Sequence, residues 1–99
     1  MPNKQKAILT MTLNSEWYDM IWSGYKFEEY REIKPFWNAR LEGRNYTEVE
    51  FINGYHKGAR RMRWTIKEIV KDKGKAIYGG DNELCWVIRL DKLLWFFGY

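Results

Sequence analysis

Leu9, Met11 and Leu13 alternate with Thr10 and Thr12 in the stretch from residue 7 to residue 13. A period of two is that of a strand with one buried face. The period then changes. Asn14 and Ser15 bring side-chain oxygens suited to the unpaired amides of a helix start, and Glu16 follows in the first turn, where the helix dipole favours a carboxylate. Trp17, Met20 and Ile21 recur at i, i+3 and i+4, which predicts one apolar helical face. Gly24 stands where a helix usually stops.

Residues 25–31 read as extended, with Phe27, Glu29 and Arg31 on one face. Pro35 suits the first position of a second short helix. Trp37 and Leu41 pair along it at i, i+4, and Gly43 stops it. Three more strands are expected. In 46–53, Thr47, Val49 and Phe51 share a face. In 60–70, Met62, Trp64 and Ile66 alternate with Arg61, Arg63, Thr65 and Lys67. In 84–96, Leu84, Trp86, Ile88 and Leu90 alternate with Cys85, Val87, Arg89 and Asp91. The turn dipeptide Asn53-Gly54 opens one connection, and Gly74 with Gly79-Gly80 marks the loop before the last strand. The apolar segment Leu93–Tyr99 is expected to complete a barrel by packing on the first strand, or alternatively to form a homodimer surface.

The order is strand, helix, strand, short helix, then three strands. It predicts one α+β domain over residues 1–99, a small β-barrel of about five strands with one or two short helices. Closing the sheet removes edges that would otherwise pair with other chains.

Composition narrows the class. Of 99 residues, 45% are hydrophobic and 18% aromatic, enough for one dense core and too apolar for a disordered chain. Seventeen Lys and Arg against 13 Asp and Glu leave a net charge of +4, which favours an anionic partner without bearing on the fold. One cysteine, Cys85, allows no internal disulfide and suits a reducing compartment, so a cytoplasmic location is expected. No signal-peptide pattern and no apolar run of membrane-spanning length is present, so no membrane partner is expected.

The familiar catalytic templates are missing. There is no Gly-rich phosphate loop and no Gly-x-Ser-x-Gly elbow. A single histidine, His56, and a single cysteine cannot build a tetrahedral zinc site of nitrogen and sulfur ligands, and no cofactor is expected. Cys85 alternates within a core-like strand and reads as a small hydrophobe, while His56 reads as a solvated loop residue.

The segment Gly24-Tyr25-Lys26-Phe27-Glu28-Glu29-Tyr30-Arg31 carries the pattern GxKxxExR behind an apolar strand and a helix. In motif and setting the chain resembles the ASCH family of the PUA-like superfamily. The continuation Glu32–Trp37 and the later Asn53-Gly54-Tyr55 resemble its short stand-alone members. The resemblance spans essentially the whole chain. It implies a β-barrel with a cleft beside the helix, and binding of RNA or a modified nucleoside or nucleotide. One branch of the family hydrolyses acetylcytidine with a lysine and a threonine of the motif, and another resembles ribonucleases. Here Glu29 stands where that threonine falls, three residues after Lys26. A carboxylate cannot simply replace an activated hydroxyl in acyl transfer, so acetylcytidine hydrolysis is not expected.

The residues themselves allow two readings of the motif. Glu29 and Arg31, two apart on one face, make a charge-assisted pair, and the compact Lys26 ammonium suits a phosphate or carbonyl oxygen. Alternatively, the three form a structural ion pair that closes the barrel mouth. The candidate cleft is Lys26, Glu29 and Arg31, lined by Tyr30, Asn53 and Tyr55. If the chain is an enzyme, Lys26 and Glu29 are the acid–base pair of a hydrolase acting on a modified nucleoside or RNA, with Glu83 an accessory acid. Arg61, Arg63 and Lys67 also form a basic strand face, flanked by Arg60 and Lys71, suited to single-stranded RNA if aromatics such as Trp37, Tyr55 or Tyr78 stack beside it. An outward strand face is ordinarily charged in any case, and Glu68 dilutes the stripe.

Overall fold

The computed structural model describes residues 7–98. Its elements follow the predicted order: β1 (Ile8–Leu13), α1 (Ser15–Trp22), β2 (Glu28–Arg31), α2 (Pro35–Leu41), β3 (Glu48–Asn53), β4 (Arg61–Lys73) and β5 (Leu84–Phe97). They build one five-stranded sheet in the order β1-β3-β4-β5-β2, curved into half a barrel. Only the β1–β3 pair is parallel. A parallel pair needs a crossover, and the segment α1–β2–α2 supplies it.

Local chemistry sets the first helix. The Asn14 side chain accepts from the Trp17 amide at 3.2 Å. At the other end the Ser23 amide bonds the Asp19 carbonyl, and Gly24 takes φ +84°, a conformation a side chain resists. The buried residues of α1 are Tyr18 and Ile21, while Trp17 and Met20 are only half-buried. The apolar stripe is therefore rotated toward Tyr18 relative to the sequence expectation. Full burial of Ile21 contributes roughly 1.5–3 kcal/mol.

The core is the concave side of the sheet: Leu9, Met11 and Leu13 of β1, Val49 and Phe51 of β3, Met62 and Trp64 of β4, and Trp86, Ile88 and Leu90 of β5. Tyr18 and Ile21 of α1 and Leu41 of α2 close it. β4 and β5 are long because each serves two neighbourhoods. Register shifts between Arg63 and Glu68 bend β4, as bulges do. Before the bend β4 pairs with β3 and the end of β5. After it, β4 pairs with the start of β5, which also pairs with β2.

The C-terminal segment corrects one expectation. Among the described residues it forms no ladder with β1; Trp95, Phe96 and Phe97 register with Arg63, Met62 and Arg61 of β4. β1 and β2 remain the two edges of the sheet. No helix among the described residues is long and apolar enough to cross a membrane.

Candidate functional site

The motif lies at the seam between the two sheet edges. Past Gly24 the chain folds back on α1, and the amides of Tyr25 and Lys26 both bond the Met20 carbonyl. This places Lys26 under the helix with only 2% of its surface exposed. Its Nζ lies 3.1 Å from Glu29 Oε1 and donates to the Tyr78 carbonyl at 2.5 Å. It also faces the rings of Trp17 and Tyr30, 4.7 and 5.2 Å from their centroids. A buried ammonium needs such partners, because burying it alone costs far more than any one contact returns.

Glu29 passes the connection on. Its Oε2 lies 2.9 Å from Arg31 Nη2, and the same guanidinium nitrogen donates to the Thr12 carbonyl of β1 at 3.2 Å. Trp37 of α2 covers the guanidinium at 5.0 Å. A run of charge-assisted contacts thus crosses from the end of α1, through β2, to β1. It ties two strands that share no ladder.

Tyr30 points to the opposite face of β2. Its hydroxyl donates to Glu28 Oε1 at 2.6 Å and accepts from the Lys75 amide at 3.0 Å. Burial, then the bond to Glu28, push the phenol far above its ordinary pKa, so it stays protonated. The loop it anchors, residues 74–83, contains a 3-10 turn (Ala76–Tyr78) and covers Lys26. Glycine is required in it twice: a Cβ at Gly79 would stand 2.8 Å from Trp17, and one at Gly80 would collide with the Gly74 backbone.

Between this loop and the end of β2 lies a cleft of about 270 Å³, lined by Tyr30, Arg31, Glu32, Gly79, Gly80, Asp81 and Cys85. Arg31 belongs to both the seam and the cleft, with 21% of its side chain exposed and its Nε buried without a hydrogen-bond partner. Burial, then Asp81, Asp72 and Glu28, raise the Cys85 pKa, which keeps its thiol protonated. A second hollow of similar volume, lined by Arg44 to Thr47 and Ile66 to Ile69, holds none of the candidate cleft residues, and of the basic strand face only Lys67.

Lys26, Glu29 and Arg31 therefore converge, with Tyr30 beside them. Asn53 and Tyr55 do not join the cleft. Asn53 Oδ1 accepts from the Ser15 hydroxyl at 3.0 Å, and Tyr55 is 93% exposed on the β3–β4 connection. Glu83 is exposed in the loop, its amide bonded to Asp81. Arg61 and Arg63 lie on the convex face, and β3 meets them with carboxylates. Arg61 pairs with Glu50 at 3.1 Å, and Arg63 with Glu50 at 2.6 Å and Glu48 at 3.4 Å. Arg60 pairs with Asp19 and Lys71 with Glu42. The basic stripe is largely compensated within the protein.

Sequence reasoning missed one ionic cluster altogether. Arg89 of β5 holds Glu28 at 2.8 Å, Glu68 at 2.7 Å and Asp72 at 2.6 Å, so one guanidinium joins β2, β5 and β4. Three carboxylates drive its pKa upward, and it stays charged. The one signal was an arginine on the outward face of a long strand, which is unremarkable without its neighbours. Among the described residues no group of three or more His, Cys, Asp or Glu side chains could hold a metal ion. Comparison with family models, curated proteins and solved structures gives no match for this chain.

Proposed function

We propose that this chain is a small ASCH-like, PUA-like domain of the cytoplasm that binds RNA or a modified nucleoside in the cleft beside Arg31. The observation that carries the reading is the position of Arg31: it lines the cleft while Glu29 and the Thr12 carbonyl hold its Nη2 in place. A fixed guanidinium offers planar, directional donors to a phosphate or a base carbonyl, and its ordering cost is already met. Tyr30 adds an aromatic wall, and Gly79-Gly80 lets the loop backbone approach closely. The cleft is small, near the lower limit of ligand sites, which suits one nucleoside better than a folded RNA.

Lys26 and Glu29 support Arg31 from behind. Both are almost fully buried, and the Lys26 ammonium also bonds the Tyr78 carbonyl. The hydrolase reading would need this pair to meet a substrate, and no observation favours it.

The test is a backbone NMR titration with a panel of plain and modified nucleosides and a short single-stranded RNA. Shifts should centre on Tyr30, Arg31, Gly79 and Gly80, and Arg31→Lys should weaken binding at least tenfold. The reading fails if no nucleoside at millimolar concentration moves these resonances, or if RNA shifts only the Arg61–Arg63 face.

A further inference from the structure

A guanidinium facing a Gly-Gly loop would suit a phosphate, yet the rest of the cleft beside Arg31 has the opposite chemistry. A loop that cradles phosphate turns several free backbone N–H groups toward it. Here the loop donates to itself. The Gly79 amide bonds the Ala76 carbonyl at 3.0 Å, and the Gly80 amide bonds the Lys75 carbonyl at 2.9 Å. The Tyr78 and Asn82 amides bond the Lys75 and Gly74 carbonyls, and the Glu83 amide bonds Asp81 Oδ1.

Charge points the same way. The charged residues that line the cleft are Arg31, Glu32 and Asp81, so carboxylates outnumber the guanidinium in a chain whose net charge is +4. Glu29 already meets the Arg31 charge at 2.9 Å. Glu32 has only Lys34 for a partner, 3.7 Å away and with both side chains exposed. The Asp81 carboxylate accepts from the Glu83 amide and pairs with no cation among the described residues. Its field reaches the next wall: after burial, Asp81 is the strongest influence raising the Cys85 pKa.

We infer that the cleft takes the uncharged base of a nucleoside, a ring carbonyl on Arg31 and N–H groups toward the Asp81 carboxylate, and turns phosphate away. The inference rests on the nucleoside reading above and names the part of the ligand that enters. Cytosine and uracil each carry both a carbonyl and an N–H donor, whereas adenine has no carbonyl and leaves Arg31 unmatched. The Tyr30 ring supplies a wall on which any of these bases can stack. A 5′-phosphate brings negative charge toward Glu32 and Asp81, and like charges set against each other exclude the wrong ligand.

The test is a backbone NMR titration of the full chain at pH 7 with cytidine, uridine, adenosine, cytidine 5′-monophosphate and inorganic phosphate. Cytidine or uridine should bind at least about tenfold more tightly than adenosine. The 5′-phosphate should weaken cytidine at least about threefold, and inorganic phosphate at about 10 mM should leave the Tyr30, Arg31 and Gly80 amides unmoved. Asp81→Asn keeps an oxygen for the Glu83 amide but removes the charge. It should bring cytidine and its monophosphate within about twofold of each other, with an unchanged melting temperature. A monophosphate that binds as tightly as cytidine overturns the inference and leaves the nucleoside reading standing. So does adenosine binding as well as cytidine, or a gap that survives Asp81→Asn. Silence from all five probes overturns the inference, and silence that extends to the modified nucleosides overturns the reading as well.

Discussion

Removing Glu29 from the seam should cost more than removing Lys26, although the two are partners. In Glu29→Leu, both Lys26 and Arg31 lose their shared carboxylate, and Lys26 stays 2% exposed with only the Tyr78 carbonyl and two aromatic rings around its charge. Breaking a buried pair in this way typically costs about 3–5 kcal/mol. For a domain of about this length each kcal/mol moves the melting temperature by roughly 4–8 °C, so a fall of at least about 12 °C is expected. In Lys26→Met, Glu29 keeps Arg31 at 2.9 Å, and the flexible thioether fills much of the vacated volume. That variant should lose about half as much or less. The double variant Lys26→Met/Glu29→Leu should be more stable than Glu29→Leu alone, because no lysine charge is left buried without a carboxylate. Urea unfolding at pH 7, followed by tryptophan fluorescence, gives all three free energies and the coupling between the sites, expected at about 1–3 kcal/mol. The slope against urea should stay constant, which shows that folded-state energy has changed and not the extent of unfolding. Two single variants that each cost under about 1 kcal/mol and add without coupling would sink the reasoning, since that is how a solvated surface pair behaves.

Two further predictions rest on titrating groups. Burial pushes the Glu28 carboxyl up, but hydrogen bonds from Tyr30 and Arg89 outweigh it, and the folded-state pKa ends below the ordinary value of 4.5. A depressed folded pKa gives stability that is complete above the unfolded value and lost as pH falls through the folded one. Wild type should therefore lose stability below about pH 4.5, and Arg89→Met should flatten that acid arm in melting curves from pH 2 to 7; an unchanged arm would show that Arg89 is not its source. Cys85, raised above 9.0 by burial and by Asp81, Asp72 and Glu28, should react with an aromatic disulfide reagent at pH 8 several-fold more slowly than a free thiol peptide. A rate equal to that of the peptide would mean the 74–83 loop does not shield it.

Much of the seam's chemistry was legible before any coordinates, because the motif is local. Lys26, Glu29 and Arg31 lie within six residues, and the Gly24 stop with an extended segment behind it brings them together in any fold that keeps those two features. Their burial was not legible. It depends on the 74–83 loop lying over Lys26 and on β1 standing within reach of Arg31, and both contacts join residues far apart in sequence. The cleft suffered the same limit. Asn53 and Tyr55, of the segment Asn53-Gly54-Tyr55, were expected as lining beside Tyr30, whereas the walls facing Tyr30 and Arg31 come from Gly79 to Asp81 and Cys85.

The convex face shows where sequence ends and tertiary structure begins. Alternation alone determined that β4 would carry Arg61 and Arg63 on one side and Met62 and Trp64 on the other, because side chains of a strand point to opposite faces. The Asn14 cap, the Gly24 stop and the order of all seven helices and strands were likewise written in local pattern, where steric and hydrogen-bonding preferences act over a few residues. What the arginines face was not. Glu48 and Glu50 alternate on β3 in plain view, but the connection from Gly54 to Arg60 is too long to set a register, and a slip of one residue would put those carboxylates on the core side. Only the folded sheet, with Glu50 opposite Arg63 and Ile52 opposite Arg61, decided that a stripe readable as an RNA surface is a compensated ionic lattice. Cross-strand partners are chosen by the packing of the whole core, and no single strand contains that information.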